Sequence, residues 1–294
     1  MIKQFIFLTK PGIIFGNFVS VMGGFFLAAQ GEINLGLLLV ALLGTSLVVA
    51  SGCVINNIID QDIDVKMERT RNRALVKKTV SNQAAFIFAA VLGIAGFGLL
   101  YFYSNLIAFG FAVLGYFDYV VLYSLIFKRR SVHQTLVGSI SGAAPPVIGY
   151  CVASGQFDAG ALFIFITFCI WQLPHSFGIA IYRLDDYISA RIPVLPTKKG
   201  IKATKIQSLI YVLLFTISGS MLYILNYVGL IYLVIFIALC AYWVYLAIDG
   251  FKAVDDRLWA RRFFLFSVII ITVFSLLISV DYQLNPDHLF IFKL

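Results

Sequence analysis

Amide and carboxylate side chains crowd together where a long uncharged stretch of this chain ends. No charged residue occurs between Ile33 and Ile59, and this stretch runs into a polar cluster composed of Asn56, Asn57, Asp60, Asp62 and Asp64. If the helix continues through the cluster, Asn56, Asp60 and Asp64 lie on one face, spaced about 6 Å apart along the axis. Clustered carboxylates beside apolar surface repel one another unless a cation joins them. The spacing therefore predicts a cation site at a helix end.

The ligand types in this cluster indicate which cation it holds. Oxygen ligands without His or Cys favour a hard divalent ion, above all Mg²⁺, which commonly completes its shell with substrate phosphates. We predict Asn56, Asp60 and Asp64 as metal ligands, and Asp60 and Asp64 also as catalytic residues. Asn57 and Asp62 project elsewhere and support the site from outside. The alternative is a solvated helix end with ordinary loop charges, which leaves the helical phasing of the three ligands unexplained.

Basic residues follow the acidic cluster and suit the oxygens of a diphosphate. Arg69 and Arg73 share a face if their segment is helical, and arginine matches the geometry of phosphate. The alternative is that these cations only determine how the chain is oriented in a membrane. A second polar loop carries Asp185 and Asp186, which either hold a second Mg²⁺ or pair with neighbouring arginines.

Two ionisable residues lie within otherwise apolar segments. His175 follows Pro174 and precedes the second polar loop by about two helical turns. A lone histidine in such a segment is commonly a packing residue, but ionisable groups inside membranes carry a functional expectation. We include His175 among the catalytic candidates, either as a proton-transfer group or as a contact to iron. Asp118 is either hydrogen-bonded to a helix or part of a transport path.

The composition places these residues in a membrane protein. The 294 residues are 61% hydrophobic and only 12% charged, with a mean hydropathy of +0.95, whereas soluble domains carry about 25% charged residues. The net charge of +8 is explained by the excess of Lys and Arg in cytoplasmic loops, so no nucleic-acid partner is predicted. The cysteines lie inside apolar segments and indicate neither a disulfide framework nor a zinc site.

Apolar runs of membrane-spanning length recur nine times and predict an all-α integral membrane protein, in which residues 1–294 form a single polytopic domain. The predicted spans are 11–29, 35–56, 84–102, 106–127, 134–153, 161–182, 206–225, 229–248 and 263–280.

The loops between these spans alternate in charge. Of the 22 basic residues, 21 fall on one side, and only Lys293 falls on the other. The positive-inside rule then places the N-terminus and the acidic cluster on the cytoplasmic side and the C-terminus opposite. The loops 60–80 and 183–205 resemble each other weakly in charge and are separated by four spans. We therefore expect two helical units around a central cavity that opens to the cytoplasm.

Several motifs now match a known family. Asn56-Asn57-x-x-Asp60-x-x-x-Asp64 resembles the aspartate signature of the intramembrane aromatic prenyltransferases, the 4-hydroxybenzoate polyprenyltransferase superfamily. Longer strings are similar to one family within it, the protoheme IX farnesyltransferases or heme O synthases. These strings are Thr9–Gly12, Asp60–Arg73, Gly138–Gly149, Trp171–His175, Tyr182–Tyr187, Ile192–Pro196 and Ala253–Arg257.

The resemblance implies a farnesyl transfer from farnesyl diphosphate to a vinyl group of heme B, giving heme O. It implies Mg²⁺ as cofactor, a location in the cytoplasmic (inner) membrane, and proteins of heme biosynthesis or heme-copper oxidase assembly as partners. The wider superfamily has a second aspartate-rich motif, and its two earlier acidic positions align with His175 and Tyr182 here. The residues predicted to bind substrate are Asn57, Arg69, Arg73, Lys77, Tyr182, Asp185, Asp186 and Lys199.

Three alternative functions remain open at this point. A polytopic transporter is suggested by the nine spans, the weak repeat and Asp118, although a transporter predicts functional charges near the middle of the bilayer. A prenyltransferase of the same superfamily that uses another acceptor requires the same aspartates. A non-catalytic scaffold for oxidase assembly leaves the phasing of the aspartates unexplained.

Overall fold

The computed structural model describes residues 2–284, and these residues are helical almost throughout. Nine helices in this range are long and apolar enough to cross a membrane, which confirms the predicted fold class and number of spans. The twelve helices are α1 (Ile2–Leu8), α2 (Pro11–Ala29), α3 (Leu35–Ile59), α4 (Gln61–Asp64), α5 (Asn82–Tyr103), α6 (Leu106–Phe127), α7 (Gln134–Ser154), α8 (Ala159–Tyr182), α9 (Leu184–Ser189), α10 (Leu195–Ile224), α11 (Leu230–Asp249) and α12 (Asp256–Val280). Lys293 and the C-terminus, for which a side of the membrane was predicted, lie outside the described residues.

Two spanning helices begin earlier than their apolar runs predict. α10 begins at Leu195 and is interrupted at Gly200, whose φ of 82° is not helical, while the predicted span begins at residue 206. α12 begins at Asp256, seven residues before the predicted start at residue 263. Both extensions carry several Lys or Arg residues. Hydropathy reports only the part of a helix that is in lipid, so it cannot detect a helix that continues into water.

Side-chain caps set where five spanning helices begin. In each case an Asn, Ser or Asp side chain accepts a hydrogen bond from the backbone N–H three residues later, which satisfies one of the free donors at a helix start. The capping residues are Asn34, Ser81, Asn105, Asp158 and Asp255.

α7 is the central helix of the bundle and contacts α2, α3, α6 and α8. Its contact with α2 is close because each helix presents a glycine to the backbone of the other. A Cβ atom built on Gly24 would lie 1.9 Å from the carbonyl oxygen of Pro146, and one built on Gly149 would lie 2.1 Å from that of Val21. Small residues commonly allow membrane helices to approach in this way. α12 packs on both α2 and α8 and completes the ring of helices around the site.

Candidate active site

A polar chamber of about 320 Å³ lies where the acidic cluster, the loop that follows it and the ends of several helices meet. The polar and charged residues that line it come from distant parts of the sequence. They are Lys10, Asn56, Asp60, Asp64, Arg69, Arg73, Tyr119, Tyr123, Lys128, Gln134, Thr135, Ser141, Gln172, His175, Ser176 and Tyr187. We call this the polar chamber.

The three predicted metal ligands all line the polar chamber, although the helix that carries them is not continuous. α3 ends at Ile59 and the short helix α4 follows. Helical hydrogen bonding nevertheless bridges the break, because Asp60 N donates to Asn56 O at 3.0 Å and Asp64 N donates to Asp60 O at 2.8 Å. The spacing of four residues is thereby kept, and all three side chains are buried.

Cations neutralise the acidic side chains in the polar chamber. Lys128 Nζ pairs with Asp60, and Arg73 Nη1 lies 2.6 Å from Asp64 Oδ2. Lys10 Nζ donates to Asn56 Oδ1 at 2.6 Å. Lys10 is half-buried, and desolvation of its ammonium group lowers the pKa of Lys10 to about 8.

The donor set and one unsatisfied atom fit a divalent cation. Asp60 Oδ1 is buried and accepts no hydrogen bond from residues 2–284; Arg129 Nη2 lies 4.0 Å from it. Two carboxylates and an amide oxygen form an all-oxygen set of the kind that Mg²⁺ prefers. No group of three or more His, Cys, Asp and Glu side chains converges within the described part of the chain, and the third oxygen donor at this site is the amide of Asn56. Because all three donors are oxygens and one of them is unsatisfied, Asp60, Asp64 and Asn56 fit Mg²⁺.

The two neighbours that were predicted to project elsewhere do not line the polar chamber. Asn57 is buried, and its Nδ2 donates to the carbonyl oxygen of Leu8 at 2.8 Å, which holds the end of α1 against α3. Asp62 is largely exposed and forms two hydrogen bonds with Arg129 at 2.6 and 2.7 Å. These bonds to the Arg129 guanidinium lower the pKa of Asp62. Substrate binding by Asn57 stays a prediction.

Arg69 and Arg73 line the polar chamber, but the segment that carries them is a series of turns rather than the helix assumed from their spacing. Lys77 belongs to the same segment and is exposed outside the lining. The two arginines can therefore reach a bound anion in this arrangement, and the lysine is directed to solvent.

The second polar loop supports the first loop. Asp186 Oδ1 accepts a hydrogen bond from the backbone N–H of Glu68 at 2.8 Å, and its other oxygen lies 3.9 Å from Arg69 Nε. Ser189 Oγ donates to the carbonyl oxygen of Lys66 at 3.0 Å. Asp186 thus pairs with Arg69 rather than with an arginine of its own loop. This contact holds Arg69 beside the polar chamber.

The remaining candidates from this region lie outside the lining. Asp185 and Lys199 are exposed. Tyr182 is half-buried, and the guanidinium groups of Arg183 and Arg257 lie 4.4 and 5.8 Å from the centre of its ring. Substrate binding by Asp185, Lys199 and Tyr182 stays a prediction.

A second, mainly apolar chamber of about 550 Å³ adjoins the polar chamber. We call it the apolar chamber; Val48, Ile148, Phe168 and Phe264 are among its lining residues. The two chambers share a wall, and the residues common to both linings are Ile13, Tyr119, Ser141, Gln172, His175 and Ile179. His175 is therefore the one predicted catalytic residue, among those described, that faces both spaces.

Several residues of the polar chamber were not singled out from the sequence. Tyr119 and Tyr123 stack with ring centres 6.0 Å apart, and Lys128 Nζ lies 5.8 Å from the centre of the Tyr123 ring. They belong to the second half of α6 and the residue that follows it, and that half is π-helical from Asp118 to Phe127. π-helical segments are often found at functional sites, but no sequence pattern predicts one here.

Asp118 makes a structural contact. It is fully buried, lines neither chamber, and its Oδ2 accepts a hydrogen bond from the backbone N–H of Ser141 at 3.0 Å. The contact joins the π-helical half of α6 to α7, which favours the structural interpretation over a transport path.

Residues 17–286 match the UbiA prenyltransferase family. The chain belongs to this family. UbiA relatives are similar over the full length of the chain: a protoheme IX farnesyltransferase of Acinetobacter baylyi is 57% identical, covering 99% of this chain and 100% of the relative. One from Pseudomonas syringae pv. syringae is 56% identical and covers 98% of each chain. The chain is therefore an enzyme of the prenyltransferase class, as the motifs predict, and not a transporter or scaffold.

Solved UbiA structures have the same fold. A digeranylgeranylglyceryl phosphate synthase superposes with a TM-score of 0.76 at 21% identity, covering 95% of this chain and 98% of the other. A UbiA homologue from Archaeoglobus fulgidus bound to GPP and Mg²⁺ superposes with a TM-score of 0.69 at 12% identity, covering 94% and 99%. At these identities the likeness concerns the fold alone.

Proposed function

We propose that this UbiA enzyme transfers the farnesyl group of farnesyl diphosphate to a vinyl group of heme B, giving heme O, with Mg²⁺ as cofactor. The observation that carries the proposal is the common wall between the polar chamber, with its paired aspartates and arginines, and the apolar chamber. A prenyl diphosphate has one charged end and one hydrocarbon end, and this pair of chambers matches both. The acceptor is proposed from the full-length relatives, which are named for protoheme IX.

The polar chamber binds the diphosphate and stabilises its departure. Asp60, Asp64 and Asn56 would hold the metal, which would neutralise charge that develops on the leaving diphosphate. Arg69 and Arg73 line the same chamber and provide hydrogen bonds to phosphate oxygens. Fixed donors of this kind act strongly because they need no rearrangement as charge develops.

The shared wall receives the prenyl carbon from which the diphosphate departs. The stacked rings of Tyr119 and Tyr123 present aromatic faces that attract the positive charge of an allylic carbon. The apolar chamber accommodates hydrophobic substrate and keeps bulk water away from that carbon. The residues that separate the two chambers thus face the position where the new carbon–carbon bond forms.

The proposed location is the cytoplasmic membrane, with the N-terminus and the polar chamber on the cytoplasmic side. The basic loops 60–80 and 183–205 support this orientation by the positive-inside rule. A water-soluble diphosphate head and a membrane-bound tail can both reach a site at that boundary. Because heme B and heme O are poorly soluble, proteins that make heme or assemble heme-copper oxidases are the expected partners.

The reaction can be tested with the purified protein in lipid nanodiscs, supplied with heme B, farnesyl diphosphate and Mg²⁺. We expect mass spectrometry to detect heme that has gained one farnesyl group and one hydroxyl group across a vinyl double bond, with the second proton of water released. Asp64→Asn should abolish this product. Asp62→Asn is the matched control, because Asp62 is exposed and pairs with Arg129 outside the chamber, and it should retain the product. Prenylation of a different acceptor in place of heme would refute the proposed substrate and leave a prenyltransferase of the same family.

A further inference from the structure

The wall between the two chambers contains polar side chains with free hydrogen-bonding capacity. Gln172 and His175 lie three residues apart on α8, so they are neighbours on one face of the helix, and both line both chambers. Gln172 is half-buried and makes no hydrogen bond to any residue in the range 2–284. Its amide is therefore available to a small polar molecule in the wall.

The backbone of α7 adds acceptors at the same place. Pro145 and Pro146 have no N–H, so the carbonyl groups of Ser141 and Gly142 lack their usual helical donors. Both residues line the apolar chamber. A Cβ atom on Gly142 would lie 1.7 Å from Gln172 Oε1, so the amide lies directly over this glycine. The amide of Gln172 and the two carbonyl groups thus form one polar patch.

Hydrogen bonding fixes the tautomer of His175. The hydroxyl of Ser267 donates to the carbonyl oxygen of Phe264 at 2.6 Å. Ser267 Oγ must therefore accept the hydrogen bond of 2.7 Å that joins it to His175 Nδ1, which places the imidazole proton on Nδ1. His175 Nε2 then carries a lone pair, and it makes no hydrogen bond to the described residues.

The same serine also fixes the neighbouring ring. Trp171 Nε1 donates to the carbonyl oxygen of Ser267 at 2.8 Å, and the Trp171 and His175 rings lie 4.6 Å apart. The imidazole is held between Trp171 and Phe264, whose ring centre lies 5.1 Å away. Its orientation is therefore set by α12 before substrate binds.

We propose that Gln172 and His175 bind the water molecule that adds to the prenylated heme, and that Ser267 is a positioning residue for His175. The inference rests on the proposed function. When a vinyl carbon forms a bond to the prenyl carbon and the bond to diphosphate breaks, positive charge is left on the carbon next to the porphyrin ring. That charge is removed either by loss of a proton, which gives an alkene, or by addition of water, which gives an alcohol.

The polar patch favours the addition of water over the loss of a proton. The water oxygen forms the new carbon–oxygen bond, and one water proton passes to His175 Nε2, giving an imidazolium that later releases the proton to solvent. Gln172 and the carbonyl groups of Ser141 and Gly142 orient the molecule, so the water has the two to four polar partners that a buried water requires. His175 acts as a general base in the tautomer that Ser267 enforces.

The test is the composition of the product in single-turnover reactions in H₂¹⁸O, measured by mass spectrometry. We expect the wild type to give an alcohol that contains ¹⁸O. Gln172→Leu should raise the ratio of alkene to alcohol about tenfold, as expected for the loss of one hydrogen bond. His175→Phe should raise it by about a hundredfold or more. Ser267→Ala should give an intermediate ratio, which a purely structural role would not produce.

The control is Thr216→Val, since Thr216 lines neither chamber and its hydroxyl donates to the carbonyl oxygen of Val212 in its own helix; it should leave the product ratio unchanged. Gln172→Met replaces Gln172→Leu if the latter fails to accumulate. A prenylated product with an unchanged ratio in the Gln172 and His175 variants overturns the inference and leaves the proposed function intact. A changed ferric heme spectrum in His175→Phe, with an unchanged ratio, would also overturn it and would indicate an iron ligand. Absence of any prenylated heme in the wild type refutes the proposed function itself.

Discussion

Some residues of the polar chamber can be predicted from their type and spacing in the sequence. Others reach the chamber only because helices that are distant in sequence pack together. Asn56, Asp60 and Asp64 were predicted as a group because three oxygen ligands with helical spacing are unusual in a chain with few acids. Lys10 and Lys128 were not, because they lie 46 and 68 residues from the side chains they contact. Such long-range pairs depend on helix packing, which a single sequence does not specify.

Arg73 and Arg71 provide a matched pair for the role of the basic residues. Arg73 lines the polar chamber, and its Nη1 lies 2.6 Å from Asp64 Oδ2. Arg71 is exposed, and its guanidinium comes no closer than 4.0 Å to the carboxylate of Glu68. We expect Arg73→Gln to lower kcat/KM for farnesyl diphosphate about 100-fold, because a fixed donor to the departing charge is lost. Arg71→Gln should change it less than about twofold, as expected for a surface charge. Equal losses in steady-state kinetics would remove Arg73 from the site.

Variants of Asp118 test whether its carboxylate has a structural role or belongs to a transport path. Asp118→Asn keeps an oxygen that can accept the hydrogen bond from Ser141 N–H, so both stability and prenyl transfer should stay near the wild-type values. Asp118→Ala removes the carboxylate that joins α6 to the Ser141 N–H and should cost about 1–3 kcal/mol. Thermal unfolding in nanodiscs measures the difference. If Asp118→Asn lost prenyl transfer while keeping its stability, the carboxylate would have a functional role.

At the scale of helices, hydropathy predicted all nine spans but not their aqueous ends or their irregularities. The lipid-facing parts were found because apolar residues must fill them. The early starts of α10 and α12 were missed because those turns are charged. The π-helical half of α6 was missed because its cause is tertiary: the contact from Asp118 to Ser141 and the fit of Tyr119 and Tyr123 around the chamber.

The α2–α7 contact should be the most sensitive helix interface to a single methyl group. In Gly149→Ala the new Cβ would meet the carbonyl oxygen of Val21 at 2.1 Å. Neither backbone can move without disturbing the wall of the apolar chamber, so we expect a loss of about 1–3 kcal/mol and a lower melting temperature. A Cβ atom built on Gly98 would meet no other atom within 4 Å, so Gly98→Ala should be as stable as the wild type or more stable. The reverse order would show that this contact is not tight in the membrane.

At the scale of the whole molecule, the distribution of Lys and Arg predicts how the protein is oriented in the membrane. This orientation depends on the charges of the loops and not on how the helices pack. The helices would pack against one another in the same way in either orientation. The two basic loops meet at the polar chamber, through the contacts of Asp186 and Ser189 with the first loop. The weak repeat in the sequence therefore corresponds to two loops that build one site together.

Site-specific labelling tests this orientation. Lys77 and Glu32 are exposed at opposite ends of the bundle. In intact spheroplasts of a bacterial host, an impermeant thiol reagent should label Glu32→Cys and should label Lys77→Cys only after the membrane is permeabilised. The wild-type chain, with its four cysteines in spanning helices, provides the background. The opposite pattern would place the polar chamber on the outer side.

The central claim, that Asp60 and Asp64 hold a metal–diphosphate complex, is tested most directly by electron paramagnetic resonance of Mn²⁺ in place of Mg²⁺. With a non-hydrolysable farnesyl diphosphate analogue in nanodiscs, the wild type should bind Mn²⁺ with clear ³¹P hyperfine coupling, and removal of the analogue should weaken that binding. Asp60→Asn and Asp64→Asn should lose the coupled signal, while Asp62→Asn keeps it. An unchanged ³¹P-coupled signal in Asp60→Asn and Asp64→Asn would contradict the account, because the metal would then be held elsewhere.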